Sequence, residues 1–115
     1  MSELNSLSQI PKTITHLDLS FNSQLRNEAF SGVHDTLQYL NLSFCKSLTD
    51  QCLTTFSNFK LKVLLLEGCS GITGETGFLT LPKTLNKLVI SGCPKVTDKG
   101  ILALPRETIT TLEMR

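Results

Sequence analysis

The chain has 115 residues, of which 40% are hydrophobic and 18% are charged, and its formal net charge is +1. Disorder would require lower hydrophobicity and a larger net charge, and electrostatic binding of nucleic acid or of a membrane surface would require a basic excess. The longest aliphatic run, Val63 to Leu66, is far too short to span a bilayer. With no signal-peptide pattern at its start, the chain is predicted to be intracellular, cytoplasmic or nuclear, in a reducing compartment.

One motif recurs along the sequence with a period of about 24 residues. Its copies start at positions 14, 37, 61, 85 and 109, which are 23, 24, 24 and 24 residues apart. Such a constant period predicts a single repeat domain over residues 1–115. The predicted units are a half-repeat at 1–13, full repeats at 14–36, 37–60, 61–84 and 85–108, and a partial repeat at 109–115.

Each copy opens with the pattern of a short strand. The fourth and sixth residues are apolar and the residues between and around them vary, which is typical of a strand with one buried face. These pairs are Leu17 and Leu19, Leu40 and Leu42, Leu64 and Leu66, Leu88 and Ile90, and Leu112 and Met114.

A short helix is predicted in the second half of each copy. Its N-cap is expected at Asn27, Asp50, Gly74 and Asp98, residue types that suit this position. Apolar residues three apart then form one inner stripe per helix, and a proline follows the stripe at Pro82 and Pro105. The stripes are Phe30 and Val33, Leu53 and Phe56, Phe78 and Leu81 (with a one-residue shift), and Ile101 and Leu104.

The consensus L-x-x-L-x-L-x-x-C-x-x-[LIV]-T-[DG] resembles the leucine-rich repeat, in the cysteine-containing subtype best known from F-box proteins. The resemblance implies an α/β solenoid that forms a short horseshoe arc, with a parallel sheet on the concave side and short helices on the convex side. It also implies a scaffold that binds proteins and is not an enzyme. Stacked units share one core, which a single unit cannot form.

The cysteines are expected to be structural. Cys45, Cys69 and Cys93 share one repeat position and should stack inward as small apolar fillers, whereas Cys52 is expected to be partly exposed near a helix start. Their spacing lacks the paired ligands of a metal site, so neither a metal nor a cofactor is expected. His16 and Asp18 share one strand face as a candidate base and orienter, but a polar binding surface explains them better, and no catalytic residue is assigned.

The variable strand positions are predicted to form the binding site for a partner protein, with Tyr39, Val63 and Leu65 at its centre. Phe21 and Phe44 occupy one repeat position, so their rings should lie side by side. The alternative is that these two rings fold back as packing over the loop. The predicted binding residues are His16, Asp18, Phe21, Tyr39, Asn41, Phe44, Val63, Leu65, Glu67, Lys87 and Val89.

A second hypothesis is a structural or assembly subunit, or a section of a longer leucine-rich repeat protein such as a ubiquitin-ligase substrate adaptor. Neither end shows a recognisable capping unit, so self-association through residues 109–115 or the N-terminal half-repeat is expected under this hypothesis. The 13 residues before the first copy are too few for an F-box, and ligase function is not assigned.

Overall fold

A computed structural model describes residues 10–11, 13–33 and 36–114, with the backbone alone for residues 31 and 32. Three-residue strands alternate with short helices along the chain. The strands are β1 (His16–Asp18), β2 (Tyr39–Asn41), β3 (Val63–Leu65), β4 (Lys87–Val89) and β5 (Thr111–Glu113). The helices are a first 3₁₀ helix (Asn27–Gly32), α1 (Asp50–Thr54), a second 3₁₀ helix (Phe78–Thr80) and α2 (Asp98–Leu102).

The five strands form one parallel sheet in sequence order, β1-β2-β3-β4-β5. Each strand pairs with the next in the repeat register, so Leu40 lies between Leu17 and Leu64, and Leu88 lies between Leu64 and Leu112. The sequence period is therefore the structural period. This confirms the predicted α/β solenoid with a parallel sheet and short helices.

The core lies between the sheet and the helices. The strands β1 to β4 contribute their middle leucines, and the residue after each of them turns inward again, as predicted from the alternation, whereas Leu112 and Met114 of the last copy are exposed. On the helix side, the Phe56 ring meets Phe30 edge-on at 5.2 Å between ring centroids and contacts Phe59 at the same separation. The fully buried strand, turn and helix residues include Leu40, Leu42, Leu48, Leu53, Phe56, Leu64, Leu66, Ile72, Phe78 and Leu88.

The helices start where the pattern predicted in three copies, but the expected N-caps are wrong by one residue. Asp50 and Asp98 are the first helical residues, and the threonine before each one is the cap. Thr49 Oγ1 accepts a hydrogen bond from the Gln51 N–H, and Thr97 Oγ1 accepts one from the Gly100 N–H. The threonine hydroxyl satisfies the free N–H group of the first turn, which leaves the aspartate side chain available for other contacts.

The third copy departs further from the prediction. Gly74 is not an N-cap, because its φ of +83° is a left-handed conformation from which a right-handed helix cannot start directly. The helix begins at Phe78 instead, with Gly77 as its N-cap. Asp50 and Asp98 correspond to Gly74 in this copy, so its helix begins four residues later than its counterparts, more than the one-residue shift assigned from the sequence.

The predicted half-repeat at 1–13 falls mainly on residues outside the described ranges. Within the described ranges, Ile10 packs against the core. The unit boundaries at the two ends of the domain stay predictions. No helix in the described part of the chain has both the length and the apolar character needed to cross a membrane.

Candidate functional site

The first and third residues of each strand point away from the core, and we call the surface that they form the strand face. The eleven predicted binding residues lie on the strand face or in the turn that follows each strand. His16, Asp18, Phe21 and Glu67 are exposed, whereas Tyr39, Asn41, Phe44, Val63, Leu65 and Lys87 are half-buried. Val89 is buried at 8% exposure, which leaves it little surface to offer a partner.

Aromatic rings from neighbouring repeats stack in pairs at the β1–β2 end of the strand face. The rings of His16 and Tyr39 are stacked, with centroids 5.4 Å apart and an interplanar angle of 16°. The rings of Phe21 and Phe44 are stacked more closely, at 4.9 Å and 9°. The predicted side-by-side arrangement of the two phenylalanines is confirmed, because equal positions in adjacent parallel repeats lie one strand spacing apart.

The two phenylalanines differ in their surroundings. Phe44 is half-buried, and its ring covers Gly68 so closely that a Cβ on that glycine would collide with it. Phe21 is 73% exposed, and its ring stacks on Phe44. Packing over the turn, the alternative considered from the sequence, therefore describes Phe44 and not Phe21.

Both phenylalanines have a left-handed backbone, with φ of 66° at Phe21 and 62° at Phe44. The same position in the next two copies is glycine, with φ of 70° at Gly68 and 71° at Gly92. The turn thus adopts this conformation in the four copies that contain it, and the N–H of the residue continues the ladder, for example from Phe21 to the Ser43 carbonyl at 2.8 Å. Outside glycine such a conformation costs about 1–2 kcal/mol.

His16 and Asp18 do not form an oriented pair. His16 Nδ1 lies 3.0 Å from Thr15 Oγ1, and Asp18 Oδ1 accepts the Ser20 N–H at 2.9 Å. That backbone hydrogen bond holds the pKa of Asp18 below its usual value. Within the described ranges no hydrogen bond joins the two side chains, so the structure does not hold His16 in the orientation that a general base requires.

Comparison with known protein families agrees with this geometry. A family model described as Leucine Rich repeat matches residues 11–28, 34–55 and 82–104, which together make up more than half of the chain. The chain is a leucine-rich repeat protein. Repeats of this family generally mediate protein–protein interaction, and the family is typically a non-enzymatic interaction module.

The cysteines of this leucine-rich repeat protein link consecutive repeats inside the core. The thiols of Cys45, Cys69 and Cys93 donate to the carbonyls of Leu19, Leu42 and Leu66 at 3.0, 3.1 and 3.0 Å. Burial raises the pKa of all three thiols, that of Cys69 to about 12. These contacts agree with their predicted structural role.

Cys52 is fully buried, so the expectation that it is partly exposed is wrong. It is the third residue of α1 and faces the core side of that helix, and burial raises its pKa strongly. All four cysteines are free thiols. Among the residues the structure describes, no group of three or more His, Cys, Asp or Glu side chains is arranged to hold a metal ion.

Asp50 carries the most extensive side-chain network described in this leucine-rich repeat protein, and the sequence analysis did not identify it. Its Oδ1 accepts the N–H groups of Thr73 and Gly74, and its Oδ2 accepts those of Thr76 and Gly77, at 2.8 to 3.1 Å. The hydroxyls of Thr73 and Thr76 also lie within hydrogen-bond distance of Oδ2. The available signal was an acidic residue recurring at the [DG] position of the consensus, which was interpreted as a cap.

Burial raises the pKa of Asp50, but the hydrogen bonds from the four N–H groups outweigh burial, and the pKa lies below its usual value. The carboxylate is thus charged at neutral pH although it is only 8% exposed. Asn27 occupies the same position one copy earlier. Its side-chain amide donates to Thr49 Oγ1 and accepts the Thr49 N–H, so it links the first two copies with fewer hydrogen bonds. The position joins neighbouring repeats and has no role on the strand face.

Proposed function

We propose that this leucine-rich repeat protein binds a partner protein through the β1–β3 part of the strand face, which is the concave side in this family. Tyr39, Val63 and Leu65 form the centre of the proposed site, and the Phe21–Phe44 stack flanks it. One observation carries the proposal: Phe21 is 73% exposed and occupies a left-handed position where later copies of the repeat have glycine.

Phe21 contributes little to core packing although its backbone is strained, because its side chain is 73% exposed. Strained residues of this kind persist mainly at functional sites. Aromatic residues, phenylalanine among them, are also enriched at protein–protein interfaces. Both arguments support a binding role for the stack.

The exposed charged residues among the predicted binding residues of the β1–β3 part are acidic. Asp18 and Glu67 are exposed, and the described residues provide neither with an ion pair. Lys87, the cation among the predicted binding residues, lies 4.0 Å from Glu113, which neutralises it in part. A partner with basic residues flanking an apolar segment would complement this surface.

Affinity capture with matched variants tests the proposal. Phe21→Gly removes the ring and introduces glycine, which readily adopts the left-handed turn. Tyr39→Asp and Leu65→Asp place a charge at the proposed centre. Proteins bound by the unaltered chain should be lost from all three variants and retained by Leu79→Ser, which removes a 72% exposed leucine from the second 3₁₀ helix. Retention by the first three variants, with thermal unfolding unchanged, would place the site elsewhere.

A second candidate function is that of an assembly subunit, and exposed apolar residues of the last repeat support it. Among the residues that the structure describes, β5 pairs only with β4, and Leu112 and Met114 are 38% and 52% exposed. Light scattering over a concentration series tests self-assembly: growth in mass with concentration is expected, and a constant monomer mass would contradict it.

An adaptor role in ubiquitin ligation and a reducing intracellular location remain proposals from the sequence, the latter supported by the four free thiols.

A further inference from the structure

Two aromatic rings and two acidic side chains lie together where the first strands end, and we call Asp18, Phe21, Phe44 and Glu67 the stack site. Asp18 and Phe21 belong to the first copy and are three residues apart. Glu67 directly precedes Gly68, which the Phe44 ring covers, and its carbonyl accepts the Phe44 N–H at 2.7 Å. Residues from three consecutive copies thus meet at one edge of the sheet.

The negative charge of Asp18 is not needed for the local fold. Its Oδ1 accepts the Ser20 N–H at 2.9 Å. At the same position of the next copy, the neutral Asn41 accepts the Ser43 N–H with its own Oδ1 at 3.0 Å, so an amide makes the same turn contact. The backbone hydrogen bond from Ser20 keeps the pKa of Asp18 below its usual value, and the exposed carboxylate is therefore charged at neutral pH.

The carboxylate of Glu67 is not needed for the repeat either. Its backbone takes part in the sheet, and its N–H donates to Ser43 Oγ at 3.2 Å, but the side chain is exposed. Serine occupies this position in the copies on either side, at Ser43 and Ser91. Lys46 is an exposed cation two residues after Phe44, yet in the part of the chain that the structure describes no ion pair joins it to Glu67.

An arginine side chain complements an aromatic ring beside a carboxylate better than other side chains do. Its guanidinium is planar and weakly hydrated, so it can lie flat on a ring and donate two parallel hydrogen bonds to a carboxylate. Phe21 is 73% exposed and provides the ring surface. A lysine ammonium is more strongly hydrated and lacks this planar geometry. A purely apolar segment would cover the rings and leave the two carboxylates without a cation.

We propose that the stack site binds an arginine side chain of the partner protein, which stacks on Phe21 and forms an ion pair with Asp18 or Glu67. The arginine belongs to a segment whose apolar residues cover Tyr39 and Leu65. This inference rests on the proposed function and deepens it, because it names the partner residue that contacts the stack.

The test uses peptides as probes. A displayed library of random peptides is selected on the unaltered full chain, and the selected sequences should contain more arginine than the unselected library, with no such excess of lysine. In the tightest peptide, replacing the contacting arginine with alanine should raise the Kd by about 3- to 30-fold, because one exposed cation–π contact and one exposed ion pair are lost. Replacement with lysine should also weaken binding.

Variants of the chain place the contact. In Phe21→Gly the peptide's arginine-to-alanine change should have a smaller effect on the Kd, since the two partners of one contact are not additive. Asp18→Asn keeps the turn contact, as Asn41 does, and Glu67→Gln keeps the side-chain length; at least one should raise the Kd by about 3-fold or more. Glu28→Gln removes one charge from the first 3₁₀ helix and should leave the Kd unchanged.

The midpoint of thermal unfolding shows whether each variant is folded. If Phe21→Gly does not fold, Phe21→Asn replaces it, because asparagine also tolerates the left-handed backbone. Selection of no peptide, selected peptides without an excess of arginine, or equal Kd values for Asp18→Asn, Glu67→Gln and Glu28→Gln would overturn the inference.

Tyr39→Asp separates failure of this inference from failure of the proposed function. Peptides that lack arginine but no longer bind Tyr39→Asp would overturn the arginine contact and leave the strand face as the binding site. Arginine-containing peptides that bind Tyr39→Asp and Phe21→Gly as tightly as the unaltered chain would contradict both.

Discussion

Asp50 links two repeats with a carboxylate that accepts hydrogen bonds from four backbone N–H groups and two threonine hydroxyls. The turn that it holds contains two glycines, and one of them, Gly74, has a left-handed backbone. Such a turn has few other partners for its N–H groups, and buried N–H groups without acceptors are costly. One side chain therefore stabilises the conformation of a whole neighbouring loop.

Replacing Asp50 should be one of the most destabilising single changes at a polar residue. Asp50→Ala leaves four N–H groups without their acceptor, and we expect a loss of about 3 kcal/mol in the free energy of unfolding. Asp98→Ala is the matched control at the same repeat position and should cost less than about 0.5 kcal/mol, because Asp98 is exposed. Urea denaturation measures both, and equal losses would contradict the role given to Asp50.

The lowered pKa of Asp50 predicts a specific pH dependence of stability. Because the folded-state pKa lies below the unfolded value of about 3.9, the contribution is fully present above roughly pH 5 and is lost as the pH falls through the folded pKa. Asp50→Asn should lower stability at neutral pH and flatten the acid limb of the profile. The free energies of unfolding of the unaltered chain and of Asp50→Asn are measured from pH 7 to pH 3. Parallel pH profiles of the two proteins would refute the prediction.

The reactivity of the four thiols provides a further prediction at the scale of single residues. All four cysteines are buried, and burial raises the pKa of each, so none offers the exposed thiolate that reacts with disulfide reagents. We expect no thiol to react rapidly in the folded protein and all four to react after denaturation. Rapid labelling of one thiol under native conditions, identified by mass spectrometry, would contradict the placement of that cysteine.

At the scale of the element, the turn after each strand is the feature in which the copies differ in residue type. Four copies have a left-handed residue there, phenylalanine in the first two and glycine in the next two. The consensus predicted the turn and the adjacency of the rings, because both follow from the period. It could not predict which ring is covered, since this depends on the absence of a Cβ at Gly68 beneath Phe44.

Two glycine substitutions separate backbone strain from ring contact in this turn. Gly92→Ala meets only ordinary contacts and should cost about 1 kcal/mol from its left-handed backbone. Gly68→Ala has the same backbone requirement but also displaces the Phe44 ring, so its cost should be about 1 kcal/mol larger. In a Phe44→Gly background the two alanine substitutions should cost the same; an undiminished difference would show that the ring is not its cause.

At the scale of the whole molecule, the sequence period accounts for most of the fold. The strand positions, the parallel order, the inward leucines and the cysteine column follow from five copies in register, because stacking places equal positions one strand apart. The helix caps, the late helix start at Phe78 and the Asp50 network were not predictable in this way. These features depend on contacts between different positions of neighbouring repeats. A consensus that averages over the copies does not contain such contacts.

The same limit applies to the candidate site. The rows of outward-facing residues could be predicted from the alternation, but the strained backbone of Phe21 and the burial of Val89 could not. Because of these two facts, the proposed binding site is centred on the β1–β3 end and does not extend over the whole strand face. Under the proposed function, Phe21 is exposed for binding, and its left-handed backbone lowers the stability of the fold.

The free energy of unfolding of Phe21→Gly tests this account most directly, because it needs no knowledge of the partner. Glycine adopts the left-handed turn without strain, as Gly68 and Gly92 do, which offsets the lost stacking on Phe44 of about 0.5–1.5 kcal/mol. We predict that the variant is as stable as the unaltered chain, or more stable. A loss clearly above 1 kcal/mol would show that Phe21 is retained for packing, and would contradict its assignment to a binding surface.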